Sequence, residues 1–268
     1  FAIMFLSLSE GIYTVGLDKK FVPFNKEKDR LEERKGTLLV HIQPFLVYAH
    51  HEWVLLDTGL GYLQGTEYHI HQNLAKSGLS YKEVRKVLLS HLHFDHADGS
   101  ISAEGEVLFP NAEYFVQAGE YYNAIAQESK SYHRQRLEQL YKTGQLHLLS
   151  EKKGHISPYI HFEVSGGHTQ YHQVFWVESQ NAVYFYGGDV LPSAGQVNRK
   201  FVAKYDYDGK KAMQDRIKYA QQIANEELIV LFYHSDNLQG AKLHAYHDTF
   251  EVEPVYANKK LDNTQLTF

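Results

Sequence analysis

Cysteine is absent from the 268-residue chain. That excludes a disulfide framework, a thiolate nucleophile and any cysteine-held zinc or iron–sulfur centre, so metal ligands here must be histidine and carboxylate. An excess of basic charge is absent too. Twenty-seven Lys and Arg against 32 Asp and Glu give a formal net charge of -5, which provides neither a basic stripe for nucleic acid nor a polybasic membrane anchor. Long apolar runs are missing as well: the start Phe1-Ala2-Ile3-Met4-Phe5-Leu6 is far too short to span a bilayer and has no basic flank or small-residue cleavage site. The expectation is a cytoplasmic protein acting on a small molecule, with no membrane or nucleic-acid partner. The first residue is Phe rather than Met, which leaves a preceding leader open.

What is abundant is histidine, 17 residues, and four potential ligands fall within six positions, His91-Leu92-His93-Phe94-Asp95-His96. Imidazoles and a carboxylate so close together repel or desolvate one another in an ordinary core, whereas one or two divalent cations satisfy them all. In an extended stretch His91 and His93 project to one side and can chelate one cation; Asp95 and His96, at the turn that follows, can reach a second. Taken alone, the cluster is also compatible with a His-rich loop or a mononuclear structural site.

Alternation of apolar residues places short strands at 38–49, 53–56, 84–89, 112–117, 145–149, 160–164, 171–177, 183–186 and, as the last strand, 228–231. A first hairpin is expected around Gly11 and Gly16, a solvated loop or short helix over 25–36, and helices over 66–77, 119–141 and 207–224. No repeat or linker divides the chain, so 1–268 reads as a single domain. Several strands end on a candidate ligand: Asp57 in Asp57-Thr58-Gly59, His168 after Gly166-Gly167, Asp189 after Gly187-Gly188, and His234 after Leu231-Phe232-Tyr233. Each alone reads as a turn residue. Together with the cluster they complete two coordination shells, with Asp189 able to bridge and Asp57 able to orient an imidazole from behind.

This ordered set resembles the metallo-β-lactamase superfamily, whose His-x-His-x-Asp-His signature stands here as His91 to His96. The resemblance implies an α/β (α+β) fold, a four-layer αββα sandwich with its site at one edge. It implies one metal on His91, His93 and His168, a second on Asp95, His96 and His234, Asp189 and a water or hydroxide between them, and Asp95 as proton shuttle. Zinc is the first expectation for both ions, with iron, manganese or cobalt as alternatives. His172 is expected to support the loop behind the ligands. Gly187-Gly188-Asp189-Val190-Leu191-Pro192-Ser193-Ala194, Tyr205-Asp206 and Phe232-Tyr233-His234 are similar to the branch containing quorum-quenching lactonases and organophosphate hydrolases. The implied enzyme is a metal-dependent hydrolase that opens an N-acyl-homoserine-lactone-like ring or cleaves a related ester with the metal-bridged hydroxide. The alternatives are phosphotriester or phosphoester hydrolysis on the same site, or a metal-binding sensory module without turnover. A homodimer is compatible with all of them.

Three departures stand out. Gly166-Gly167-His168-Thr169-Gln170-Tyr171-His172 replaces the usual Pro-Gly-His-Thr-Pro-Gly-His, Asp98-Gly99 stands where Gly-Gly is common, and no tyrosine follows Asp189 closely. Tyr171, Tyr205 and Tyr233 are candidates for the missing hydroxyl, though packing or support behind the ligands is the first reading of each; Phe21, Phe24, Tyr121 and Tyr122 could form an apolar acyl pocket, with core packing the first reading for most of them.

Overall fold

A computed structural model describes residues 5–258, so Phe1 to Met4 of the apolar start lie outside the described residues. Two large sheets dominate. The first has the order Phe5–Ser7, Phe45–Ala49, Glu52–Leu56, Val84–Leu88, Glu113–Gln117, Leu146–Leu149. Its first three strands are antiparallel neighbours and the remaining pairs are parallel. The second has the order Lys153–Ser157, Ile160–Val164, Gln173–Glu178, Val183–Tyr186, Ile229–Leu231, Gly240–Tyr246, Thr249–Val255. It is antiparallel except where Val183–Tyr186 meets Ile229–Leu231.

The period-two alternation of each strand decides the layers. Val47, Val54, Leu56 and Leu88 face Phe175, Val177, Tyr184, Tyr186 and Leu231 in the core between the sheets. Their neighbours Leu46, Leu55 and Val87 point the other way, against Ile70 and Leu74 of the helix His69–Lys76, Tyr121 and Ala124 of Ala118–Ala126, and Leu140 of Arg134–Lys142. On the far side Val174, Phe185, Val230 and Leu243 pack on Tyr219, Ala220 and Ile223 of the helix Gly209–Asn225. The layering is therefore helix, sheet, sheet, helix, the αββα sandwich expected. A small sheet, Phe21–Pro23, Gly11–Val15 and Leu38–Ile42, caps one edge. No helix among the described residues is long and apolar enough to cross a membrane.

Several boundaries differ from expectation. The stretch 38–49 is two strands in different sheets, broken at Gln43-Pro44, because proline has no N–H to continue a ladder. The turn to the next strand uses His50 and His51, both with positive φ, as a two-residue hairpin requires. The helix expected from 66 begins at His69, and the expected helical region 119–141 is two helices with Tyr132 between them. Leu228–Leu231 is not last: two further strands follow it. The 25–36 loop carries one short turn, Leu31–Glu33, and is braced by Arg34, whose guanidinium donates to Thr14 and Pro23 and pairs with Asp29 at 2.9 Å.

Candidate metal centre

Five strands that run in the same sense within their sheets deliver the polar residues to one edge. Leu56 leads to Asp57, Leu88 to Ser90 and His91, Val164 to the loop with His168, Tyr186 to Asp189, and Leu231 to His234. After His93 the chain turns into the short helix Phe94–Ala97, which aims Asp95 and His96 at the same point. All seven expected ligand candidates come together. His91, His93 and His168 form one group with donor atoms within 4.8 Å of one another, His91, His96 and Asp189 a second, and Asp95, His96 and His234 a third.

His93 Nδ1 lies 3.0 Å from His91 Nε2 and 3.1 Å from His168 Nε2. On the other side His96 Nε2 and His234 Nε2 are 3.2 Å apart, and Asp95 Oδ2 is 3.7 and 3.8 Å from them. Asp189 sits between the groups: Oδ2 is 3.1 Å from His168 Nε2, and Oδ1 is 3.2 and 3.1 Å from His96 Nε2 and His234 Nε2. Yet buried Oδ1 accepts no well-directed hydrogen bond. Converging imidazole nitrogens around a buried carboxylate oxygen left unsatisfied are what divalent cations would complete, so this donor set fits metal.

The charge states point the same way. Burial, then the neighbouring imidazoles, push His91 and His93 well below the usual histidine range, so both are neutral as a ligand must be. Burial opposes ionisation of Asp189, but His96, His234 and His168 hold its carboxyl well below the usual range. Burial also works against charging His96 and His168. The surrounding carboxylates, Asp189 foremost, outweigh it and raise both, which makes them sites where a proton and a cation compete.

Behind the cluster His91, His96, His168 and His234 are oriented through their Nδ1 atoms, His91 by Ser90 Oγ at 3.0 Å. Asp57, in the left-handed region at φ 54, accepts from Ser90 N at 2.7 Å, from Ser90 Oγ at 2.7 Å and from Tyr186 Oη at 2.5 Å, and its Oδ2 is 2.7 Å from His96 Nδ1. His234 Nδ1 lies 2.8 Å from the carbonyl of His41. His172 lies behind the cluster: its Nε2 accepts from Asp189 N at 3.2 Å and its Nδ1 lies 2.7 Å from Ser165 Oγ. Two supports were not expected in these roles. Asp206 Oδ1 is 2.8 Å from His168 Nδ1; the sequence marked Asp206 through the Tyr205-Asp206 pair but gave it no task. Buried Glu120 accepts from Leu92 N at 3.2 Å and Thr169 Oγ1 at 2.7 Å, tying the His91–His93 and His168 loops together. On a helix that otherwise reads as amphipathic, nothing marked it.

Close backbone approach makes this possible. At Gly99 a Cβ would lie 2.0 Å from the carbonyl oxygen of Thr58, so the loop after Asp57 packs against the signature helix only because that position is bare. Gly188 has φ 47, and a Cβ there would lie 2.7 Å from His172 Nε2. Asp98, the unusual carboxylate, turns away from the cluster to His133 and Arg136.

A cleft of about 530 Å³ opens on the cluster, with His93, Asp95, His168, Asp189 and His234 at its end and Leu17, Phe21, Leu38, Leu39 and Val40 along its wall. Of the three tyrosines, Tyr205 lines this cleft. Tyr233 is buried and donates to the carbonyl of Asp95 at 2.6 Å, and the Tyr171 ring packs on Gly119. Of the four aromatics weighed for an acyl pocket, Phe21 lines the cleft. Phe24 lies under Arg34, and Tyr121 packs with Tyr122 and Tyr141 away from the cleft.

No curated protein sequence matches the chain. Among solved structures, a probable metal-dependent hydrolase from Staphylococcus aureus superimposes with a TM-score of 0.77 at 23% identity, covering 96% of this chain and 100% of that one. AidC, a dizinc quorum-quenching lactonase in complex with a product, gives 0.74 at 19% identity over 96% and 97%. The hydrolase AbOPH in the beta-lactamase superfamily gives 0.69 at 20% over 95% and 94%. The metallo-beta-lactamase superfamily model matches residues 40–234, from the strand that holds His41 to the last histidine of the cluster, and the chain belongs to that superfamily.

Proposed function

We propose that the protein is a dinuclear metal-dependent hydrolase that opens a lactone or cleaves a related carboxylic ester. The observation that carries this reading is the apolar-walled cleft ending on seven converging ligand candidates: it suits a substrate with an acyl chain and one electrophilic carbonyl. A dizinc lactonase among the structures of the same fold supports it. His91, His93 and His168 would hold one ion and Asp95, His96 and His234 the other, with Asp189 shared. Such a pair, when bound, supplies Lewis acidity that lowers the pKa of water and polarises a carbonyl.

The rest is done by the chain. Asp57, Asp206 and the His41 carbonyl fix the ring orientations of His96, His168 and His234, so the donors need little reorganisation. Ring opening adds water across the acyl C–O bond and leaves a hydroxy acid, with a proton delivered to the departing oxygen. Asp95 lines the cleft and is 14% exposed at its side chain, so its carboxylate is placed to carry that proton. Tyr205 faces the same space. Burial, then Asp189 and Asp206, push its hydroxyl up to about 12, so at neutral pH it remains a donor for a developing oxyanion, the task left open by the absent tyrosine after Asp189.

A panel of an N-acyl-homoserine lactone, an aryl ester, an aryl phosphotriester and a β-lactam tests the reading. Turnover of the lactone or ester well above that of the other two, abolished by a chelator and restored by zinc, is the expected result. Preferential turnover of the phosphotriester would replace the substrate class, and none on any member would remove the hydrolase reading.

A further inference from the structure

Beside the cleft lies a second open cavity of about 560 Å³, joined to it through Lys19, Phe21 and Phe94, which line both. Its floor is aromatic. Phe21 meets Phe94 edge to face at 5.2 Å, and Phe94 stacks on His133 at 4.9 Å. His133 is held in place by Asp98, which Arg136 contacts at 3.2 Å, so the carboxylate that is unusual beside the signature serves this floor rather than the metal cluster. Phe94 stands between His93 and Asp95 in the chain, so the floor continues directly into the ligand loop.

The rim is cationic. Lys19, Lys20 and Lys130 line it and form no ion pair with any described residue, whereas Asp18, the single acidic residue of the lining, accepts from the backbone N of Lys20 at 3.2 Å. In a chain of net charge -5 this is a local reversal of sign. Lys19 is also held where an L-residue is disfavoured, at φ 61, by a turn in which its N–H donates to the carbonyl of Gly16 at 3.1 Å. Glycine or asparagine suits such a position better; here the left-handed residue closes the hairpin between Gly11–Val15 and Phe21–Pro23, and that turn sets where the Lys19 side chain meets the cavity.

We propose that this cavity is a subsite for a carboxylate carried at the end of the substrate remote from the bond that is cut; the assignment of that bond rests on the hydrolase reading above. The acyl or aryl body lies on Phe21 and Phe94, and the lysine rim takes the charge. The preferred substrates are then acidic esters or lactones rather than purely apolar ones.

Two matched pairs of compounds test it. Phenyl hexanoate and monophenyl adipate report turnover; hexananilide and adipic acid monoanilide, which have no ester, report binding by calorimetry. The metal-loaded protein is compared with the triple variant Lys19→Gly, Lys20→Gln, Lys130→Gln, in which glycine suits the turn, and thermal unfolding checks that its fold is kept. The expected result is roughly tenfold tighter binding of the charged anilide, equivalent to about 1.4 kcal/mol, weakened by about 0.5 M salt. The preference collapses toward one in the variant. Equal binding of the two anilides, no detectable binding of the charged one, or a preference that survives in the variant overturns the subsite. A lysine-dependent preference in binding, with no turnover of either ester or of any member of the panel above, leaves the subsite standing and removes the hydrolase reading. Turnover without charge preference does the reverse.

Discussion

Tyr205 is the side chain on which the assignment of the oxyanion donor rests. Its neighbour in sequence, Asp206, orients His168, and its ring lies 6.1 Å from that imidazole. Tyr205→Phe removes one hydroxyl and keeps the ring. The expected effect is a loss of about 10- to 100-fold in kcat on the lactone or ester, within the range for deleting one oxyanion donor, with KM nearly unchanged. Steady-state kinetics check this, and a kcat equal to the parent's would assign the donor elsewhere. The ligand candidates were legible in the sequence because four of them cluster just after one apolar strand and the other three follow later strands within a few residues. Asp206 and Glu120 were not legible in their roles. Their importance arises only when two loops far apart in the chain are brought into contact, and locally they look like ordinary helix-flanking and helix-surface acids.

At the scale of elements, the loop after Asp57 is joined to the first sheet by Glu10. This carboxylate is buried beside Gly59; Oε2 accepts from Leu60 N at 2.6 Å, while Oε1 is buried without a partner. Burial pushes its pKa up to about 8, against the backbone hydrogen bonds of Leu60 and Gly61, and Asp98 adds to the rise. The folded protein therefore keeps a proton that the unfolded chain releases near the ordinary value of 4.5. Stability from this group is fully present below that value and is lost as pH rises toward about 8, by up to about 1.4 kcal/mol per pH unit. Glu10→Gln is expected to flatten that part of the profile and to be the more stable form at pH 9, as read by urea midpoints from pH 5 to 9. Parallel profiles for the two proteins would contradict it. Most elements followed the apolar alternation. The strand Thr249–Val255 escaped notice because it lies at a sheet edge with much of its surface exposed, so polar residues dilute its pattern. The break at Pro44 was written in the sequence, but an apolar run on both sides of it masked the change of sheet.

For the whole molecule, composition showed only a globular chain without thiol chemistry. The order of motifs carried the αββα layering, because strand-end ligands in that sequence are compatible with few folds. Composition and motif order said little about the small sheet built from Phe21–Pro23, Gly11–Val15 and Leu38–Ile42, which walls the cleft and so bears on the substrate. Its hairpins are short, and their place over the cluster is set by long-range contacts such as the 2.8 Å approach of His41 Nδ1 to the Ser235 carbonyl. The central claim, two cations held by seven side chains, is tested most directly by metal content. Elemental analysis of the purified protein, saturated with zinc and dialysed, is expected to give about two equivalents per chain, and His234→Ala about one. One equivalent or fewer in the parent protein, or two retained in the variant, would contradict the account.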